Sequence, residues 1–460
     1  MKGMPYSEIL ARAYMNAREL ALTMLIEIVE NKKLSHHVIK EGLASNNDLI
    51  KQDRALCSRL VTGCVERLIT LDYDINRFSK IKVNKMKPII RNILRMGVYQ
   101  LKYMTQIPDS AVCNEAVKLA KKRGFVGLSG FVNGMLRSMI RQKESLLRKP
   151  DHLSPKEELK LEYSVPDWLL DLWMNRFNIN KTKDILRGFE QEKEITIRVN
   201  TNVISKDQLI DVLLKENVKV KEGQFYPYAL RISQFDSLDR LESFNQGYYQ
   251  VQDESSMLVG EIAGVQKDDF VIDVCAAPGG KALHIAQLLD GTGNVLACDK
   301  TKYKVDLINQ NIERLGYHNI STKVSDALEL NQEWVEMADL VIADLPCSGL
   351  GVIGKKPDIK FNMNLDTINE LAQLQRDILK VVSKYVKKGK TLIYSTCTIS
   401  QLENEDNVNY IVQELGYELE EINSYLPKKL NSNTTKKGYI QILPQEWNTD
   451  GFFVARLRKR

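Results

Sequence analysis

The amino-acid sequence predicts an N-terminal all-α bundle, a small α/β linking domain and a C-terminal α/β domain with a doubly wound, mostly parallel sheet. Apolar residues recur at helical spacing up to about residue 145. Strand-like and helix-like segments alternate briefly between 195 and 240, and then regularly from about 245 to the end. We therefore predict domains at 1–145, 146–240 and 241–460.

The first domain shows helical periodicity and no convincing strand. Leu22, Leu25, Ile26 and Val29 are spaced at i, i+3, i+4 and i+7, so they line one face of a helix. The same pattern predicts further helices at 53–68, 89–103 and 111–122.

The rest of the chain supplies the strands. The linking domain has strand-like segments at Ile195–Asn200 and Ala229–Ile232 and a helix-like one at Lys206–Lys215. The C-terminal domain has strand-like segments at Phe270–Val274, Asn294–Cys298, Ile320–Val324, Leu340–Ala343, Thr391–Tyr394 and Gly451–Leu457. Because helical patterns separate them, the natural arrangement is a parallel sheet covered by helices.

Charge is distributed unevenly along the chain. Residues 1–150 hold 27 Lys and Arg against 13 Asp and Glu, a balance of +14, whereas the whole chain of 65 basic and 59 acidic residues carries only +6. A basic module favours a polyanionic partner over a merely solvated surface, by about two to one.

The composition argues against several other classes of protein. No apolar run approaches the roughly 20 residues of a membrane span, and the first twenty residues lack a signal-peptide core, so we expect a cytoplasmic protein with no membrane partner. Seven cysteines without a Cys-x-x-Cys pair favour reduced thiols, with no metal site. Buried positions are expected for Cys57, Cys64, Cys113 and Cys298. Nothing demands more than a monomer.

A small-residue loop follows the first C-terminal strand, with the sequence Asp273-Val-Cys-Ala-Ala-Pro-Gly-Gly-Lys281. Its glycines allow a tight turn, and the helix that follows can point amide groups at a ligand. The next strand ends in Asp299, where a carboxylate could bind ribose hydroxyls. Asp326 could contact an adenine edge, although taken alone it favours a surface or capping role. A dinucleotide is disfavoured because Gly-x-Gly-x-x-Gly is absent, and a triphosphate loop because Ala282 follows the lysine.

Two cysteines follow the next two strands of this domain. Cys347 lies in Asp344-Leu-Pro-Cys-Ser-Gly349 and Cys397 in Ser395-Thr-Cys-Thr398. Parallel neighbouring strands would bring both thiols to the sheet edge that carries the small-residue loop. Either cysteine alone could be structural, but the pair beside a ligand loop favours chemistry.

The N-terminal domain resembles the NusB family of RNA-binding helical domains. The resemblance rests on five groups of residues in the same order and spacing: 52–55, 93–101, 107–111, 114–117 and 131–136.

The chain from residue 195 onward closely resembles the Nop/Sun family of RNA cytosine-5 methyltransferases, above all its bacterial RsmB branch. The matching motifs are 275–281, 344–349, with Leu345 where alanine is usual, and 395–398. Supporting motifs lie at 197–200, 252–256, 356–360, 403–405 and 450–453.

The resemblance implies a NusB-like bundle ahead of a Rossmann-like class I methyltransferase with a mostly parallel, seven-stranded sheet. It implies that S-adenosylmethionine donates a methyl group to carbon 5 of a cytosine in 16S ribosomal RNA, at cytosine 967 in the RsmB branch. A thiolate that adds to carbon 6 makes carbon 5 nucleophilic, and a base then removes the carbon 5 proton.

The resemblance also assigns residue roles. Cys397 would be the nucleophile, Cys347 would assist product release, Asp344 would hydrogen-bond the cytosine, and Lys281 would line the active centre. Arg198 and the 356–360 segment would lie near the RNA or the active-site wall. The cofactor would contact Cys275, Ala276, Ala277, Pro278, Gly279, Gly280, Lys281, Asp299, Asp326 and Asp344.

Two other functions remain open at this point. In a DNA cytosine-5 methyltransferase the proline-cysteine thiol, Cys347, would be the nucleophile and Cys397 would have no role. A non-catalytic RNA-binding factor could instead keep a decayed methyltransferase fold, but the intact loops argue against decay.

Overall fold

The computed structural model describes residues 16–46, 48–191 and 194–460, so residues 1–15, on which part of the signal-peptide argument falls, lie outside the described residues. The chain divides into two compact units. The first extends to Arg187 and includes Lys355–Asn364; the second comprises Gly188–Gly354 and Leu365–Arg460. Within the described ranges, every helix is too short or too polar to cross a lipid bilayer.

The first unit is helical, as the periodicity predicts. Its helices are Ala17–Leu25, Ser35–Ala44, Lys51–Glu66, Leu68–Phe78, Pro88–Tyr103, Asp109–Lys122, Ser129–Arg141, Lys143–Leu147, Pro155–Tyr163, Asp167–Arg176 and Ile359–Asn362, with Ile179–Glu190 running into the second unit. Pro88–Tyr103 is the central helix, and its residues 92–101 are all buried. Gly63 and Gly97 allow close packing, because an added Cβ would meet the ring of Tyr99 and the side chain of Leu136.

The segment Lys355–Asn364 belongs to the helical unit although it follows the Cys347 loop in sequence. Buried Asp358 accepts hydrogen bonds from the backbone N–H, at 3.2 Å, and the hydroxyl of Ser35 at the start of one helix. Buried Lys360 donates to the carbonyls of Glu66 and Tyr163 at the ends of two others, at 3.0 and 3.3 Å. An anion at a helix start and a cation at helix ends both interact favourably with the helix dipole. The segment therefore stabilises the helical bundle, and the expected position of 356–360 near the RNA or the active-site wall stays a prediction.

The second unit begins with a four-stranded antiparallel sheet of β1 (Ile195–Val199), β2 (Lys219–Glu222), β3 (Ala229–Ser233) and β4 (Tyr249–Val251). The strand order is β2-β3-β1-β4. The helix Lys206–Lys215 lies where the sequence predicts it and begins with a capping box between Ser205 and Gln208.

The strands of the larger sheet are β5 (Phe270–Asp273), β6 (Asn294–Asp299), β7 (Ile320–Val324), β8 (Ala338–Asp344), β9 (Val386–Thr396), β10 (Tyr417–Leu419), β11 (Tyr439–Ile442) and β12 (Phe452–Lys459). Seven of them form the predicted seven-stranded path, in the order β10-β12-β9-β8-β5-β6-β7, and the eighth, β11, pairs with β12. The five strands from β9 to β7 are mutually parallel, and β12 runs antiparallel to β9.

Helices complete the second unit at Glu242–Asn245, Glu254–Ala263, Gly280–Leu288, Lys302–Leu315, Leu365–Val382, Glu405–Glu414, Asn433–Lys437 and Pro444–Trp447. The chain winds in one direction from β5 through β6 to β7, and in the other from β8 to β9. The strand order thus reverses between β5 and β8, and an open sheet of this kind binds ligands outside the carboxyl ends of its strands at that reversal.

Candidate active site

The small-residue loop lies at the strand-order reversal. β5 ends at Asp273, and the loop enters the helix Gly280–Leu288 through Gly279, whose φ of 106° favours glycine. Buried Arg198 supports the helix start by donating to the Gly280 carbonyl at 3.0 Å and to Gln287 at 3.0 Å. Arg198 is therefore a buried support for the small-residue loop, and its expected position near the RNA or the active-site wall stays a prediction.

Three acidic residues at successive strand ends differ in their surroundings. Asp299 is held by the backbone N–H groups of Ala277, at 3.2 Å, and Lys300, at 2.8 Å. Asp326 pairs with the ammonium of Lys300 at 2.8 Å, and this contact lowers the pKa of its carboxyl. Asp273 is 1 % exposed, and neither of its oxygens accepts a hydrogen bond of normal geometry within the described residues. Burial, with Asp344 nearby, raises the pKa of Asp273 to about 7.

An ion pair connects the small-residue loop after β5 to the end of β8. The ammonium of Lys281 lies 2.6 Å from one oxygen of Asp344, and the Ser395 hydroxyl donates to the other at 2.8 Å. Burial would lower the pKa of Lys281, but the charge and hydrogen bond of Asp344 outweigh it, so the pKa is raised and the lysine stays charged. Asp344 thus joins the small-residue loop, through Lys281, to the end of β9, through Ser395.

The two cysteine loops meet at the same edge. The sulfur atoms of Cys347 and Cys397 are 3.3 Å apart, close enough for a hydrogen bond but longer than the roughly 2.05 Å of a disulfide. Both thiols are partly exposed, unlike those of Cys57, Cys64, Cys113 and Cys298, which are buried as expected.

The two thiols differ in their electrostatic environment. The hydrogen bond to Cys397, burial and the charge of Glu403 raise the pKa of Cys347 well above its ordinary value. Lys281 lies within electrostatic range of Cys397, where its positive charge favours a thiolate. The arrangement therefore raises the pKa of Cys347 and places a positive charge within electrostatic range of Cys397.

Sequence reasoning missed several residues of this site. Asp273 entered only as the first residue of the small-residue loop, although a carboxylate at a strand end beside a glycine loop is itself a signal. Ser348 and Ser395 were quoted only as motif letters. Glu403 is fully buried beneath the cysteine loops, whereas sequence alone favours an exposed glutamate.

The residues present fit a cationic nucleoside ligand. Asp273 offers two buried oxygens that accept no hydrogen bond of normal geometry within the described residues, so a positively charged group would stabilise its carboxylate. Asp299 presents a carboxylate fixed by two backbone groups, and the loop at 275–281 lets a ligand approach the backbone. S-adenosylmethionine carries a ribose, a sulfonium and an ammonium, which match these features.

Three family models match the chain in order: the NusB family at 15–141, the RsmF/B-like ferredoxin-like domain at 165–239, and 16S rRNA methyltransferase RsmB/F at 262–458. A Bacillus subtilis protein named probable ribosomal RNA small subunit methyltransferase B is 36% identical over 97% of this chain and 99% of its own length. The solved structure of PH0851 covers 97% of this chain and 100% of its own at 25% identity, with a TM-score of 0.80. The structure of NSun6 from Pyrococcus horikoshii with SFG covers 64% of this chain and 98% of its own at 27% identity, with a TM-score of 0.58.

Strand order, cofactor loop and comparisons together define an α/β methyltransferase that uses S-adenosylmethionine. The chain belongs to the 16S rRNA methyltransferase RsmB/F family, because it aligns over nearly its full length with a relative at 36% identity. The predicted order of a NusB-like bundle, a linking domain and a Rossmann-like methyltransferase is confirmed.

Proposed function

We propose that this chain methylates carbon 5 of one cytosine in 16S ribosomal RNA, cytosine 967 by resemblance, through a covalent protein–RNA intermediate. The observation that carries the proposal is the 3.3 Å separation of two unlike thiols at the edge of the sheet that holds the cofactor loop. A methyltransferase acting on a nucleophilic atom such as an amine or hydroxyl would not need a thiolate there, whereas carbon 5 becomes nucleophilic only after a thiolate adds to carbon 6.

In the proposed reaction the Cys397 thiolate forms a bond to carbon 6 of the cytosine, and the electron pair of the 5,6 double bond moves toward carbon 5. Asp344, held by Lys281 and Ser395, faces the base and hydrogen-bonds its polar edge. S-adenosylmethionine supplies the electrophilic methyl group when it is bound against residues 275–281. Carbon 5 then loses its proton to a base, and the bond from carbon 6 to sulfur breaks.

Cys347 is suited to assist the last of these steps. Its S–H remains protonated and lies 3.3 Å from the sulfur that must leave, so it can donate a hydrogen bond to the departing Cys397 thiolate. Without that donor the protein would remain attached to its product. The same contact explains why two cysteines are present, which a single-thiol mechanism with Cys347 as nucleophile does not.

The RNA substrate is proposed from the family and from charge. The first 150 residues carry the balance of +14 and match the NusB family, so we assign them to binding RNA backbone phosphates. The target base must be turned out of any stack, because carbon 6 is otherwise out of reach of a sulfur atom. We propose that the substrate is free or incompletely assembled 16S RNA. We also propose that the NusB-like, linking and methyltransferase domains span 1–145, 146–240 and 241–460, and that the protein is a monomer.

Single cysteine variants test the mechanism. We expect Cys397→Ala to abolish methylation of a 16S RNA fragment, and Cys347→Ala to accumulate a complex that survives denaturing electrophoresis. Cys113→Ala is the control, since its thiol is buried in the helical unit. Accumulation with Cys397→Ala instead would reverse the roles of the two cysteines.

The substrate is tested in cells. Bisulfite sequencing of ribosomal RNA from cells that lack this protein should show the loss of one methylated cytosine in 16S RNA. An unchanged pattern would contradict the proposed substrate. Calorimetry with S-adenosylmethionine distinguishes a non-catalytic RNA-binding protein, for which no binding is expected at millimolar ligand.

A further inference from the structure

Two consecutive buried residues, Glu403 and Asn404, follow the Cys397 loop, and both are 0 % exposed. They lie just before the helix Glu405–Glu414. Burying a carboxylate is costly unless donors surround it, so its presence under a reactive pair of thiols calls for an explanation.

Glu403 binds the loop that carries Cys347. One of its oxygens accepts from the Ser348 backbone N–H at 2.8 Å and from the Gln375 amide at 3.1 Å. The other accepts from the Ser348 hydroxyl at 2.5 Å. The same Gln375 amide donates to the Pro346 carbonyl at 2.9 Å. The residues on both sides of Cys347 are thus held through one carboxylate.

Asn404 binds the loop that carries Cys397 in the same manner. Its amide oxygen accepts from the Thr396 hydroxyl at 2.6 Å, and its amide nitrogen donates to the Thr398 carbonyl at 3.1 Å. The residues on both sides of Cys397 are therefore held through one amide. A contact of 2.8 Å between the hydroxyls of Ser348 and Thr398 joins the two loops directly.

We propose that Glu403 and Asn404 are positioning residues that fix the two cysteine loops relative to each other, so that the Cys347 sulfur lies next to the Cys397 sulfur when the product is released. This inference rests on the proposed function for its effect on catalysis. Its geometric part, that the pair sets the distance between the sulfurs, does not depend on which substrate the enzyme uses.

A glutamate suits position 403 because its carboxylate accepts the hydrogen bonds that the Cys347 loop donates. A carboxylate is an acceptor only, and the groups facing Glu403 are donors, whereas an amide at the same place would turn an N–H₂ group toward at least one of them. The charge has a second effect, because it helps to raise the pKa of Cys347 and so keeps that thiol a hydrogen-bond donor.

The first experiment measures turnover of purified full-length Glu403→Ala and Glu403→Gln on a 16S RNA fragment. We expect kcat to fall by about 100-fold in Glu403→Ala with little change in KM, because a misplacement of about 1 Å at a reacting group can cost that factor. The protein–RNA complex should accumulate, and Glu403→Gln, which keeps one acceptor for Ser348, should recover part of kcat. Glu414→Gln is the control, since Glu414 is exposed at the end of the helix that follows Asn404.

The second experiment needs no RNA. Diamide removes two electrons and two protons from a pair of thiols, forms a disulfide and becomes the hydrazine, and mass spectrometry of peptides measures the Cys347–Cys397 bond. We expect oxidation at least tenfold slower in Glu403→Ala than in the native protein, because the sulfurs are no longer held together. If the native enzyme methylates no RNA, this rate still decides the positioning inference.

A milder variant guards against loss of the fold. Ser348→Ala removes the hydroxyl shared by Glu403 and Thr398 but keeps the backbone hydrogen bond. It should slow both product release and disulfide formation while its melting temperature stays close to that of the native protein. Folded Glu403→Ala and Ser348→Ala variants with native kcat and native oxidation rates would overturn the inference.

Discussion

Replacing Asp273 with asparagine should make the ligand-free protein more stable at neutral and alkaline pH and should lower its affinity for S-adenosylmethionine. Asp273 is buried, and its oxygens accept no normal hydrogen bond within the described residues, so ionising it in the folded state is unfavourable. The pKa of about 7, against an ordinary value of 3.8, corresponds to about 4 kcal/mol lost when the folded protein must carry the charge.

The direction of the pH dependence follows from that raised pKa. Below pH 3.8 the carboxyl is protonated in both states and has no effect on stability. Between 3.8 and about 7 only the unfolded chain ionises, so the free energy of unfolding falls as pH rises, and above 7 the loss is complete. Asparagine does not titrate, and the advantage of the variant should therefore grow by about 2–3 kcal/mol between pH 5 and pH 8.

Equilibrium unfolding in urea at a series of pH values measures this difference, because subtracting the two proteins cancels their other titrating groups. The affinity for S-adenosylmethionine, measured by calorimetry, should rise through pH 7 in the native protein and stay flat in the variant, since a cation beside Asp273 favours its ionised form. A stability difference that is independent of pH, or a variant that binds the cofactor as the native protein does, would show that Asp273 does not carry an uncompensated buried charge.

Two further substitutions test other contacts. Asp358→Ala should lower the free energy of unfolding by about 2–4 kcal/mol, because it removes two charge-assisted hydrogen bonds from Ser35 at a helix start. Denaturation in urea measures the loss, and a change below about 0.5 kcal/mol would contradict the capping role. Lys281→Met should slow single-turnover methylation by about 30- to 100-fold, since it removes the charge that holds Asp344, whereas a rate within about twofold of native would exclude that role.

Much of the fold could be predicted because hydrophobic patterns are local. The central strands of the large sheet are apolar and flanked by helices, so β5 and β6 begin at the predicted residues, Phe270 and Asn294. The missed strands β2, β4, β10 and β11 have three or four residues each and lie outside the central parallel part of the large sheet, where polar residues mask the alternating pattern. The return of Lys355–Asn364 to the helical unit depends on long-range contacts that no local pattern encodes.

The site, too, has features that the sequence predicts and features that it does not. The meeting of Cys347 and Cys397 followed from the rule that parallel strands present their carboxyl ends at one edge, and the 3.3 Å separation confirms it. Arg198 and Lys360 were recognised as motif residues, but a motif does not show whether a charged side chain faces the substrate or the interior. Both are buried in this structure. Glu403 was likewise quoted only within a supporting motif, with no role assigned.

The most direct test of the covalent route uses the native protein, S-adenosylmethionine and a 16S RNA fragment that carries 5-fluorocytosine at the target position. Fluorine in place of the carbon 5 hydrogen prevents the final proton removal, so the protein should stay bonded to carbon 6 after methyl transfer. Digestion and mass spectrometry should then find the methylated nucleotide on the peptide that contains Cys397. A nucleotide attached to Cys347, or methylated fluorocytosine released without any attachment, would contradict the mechanism.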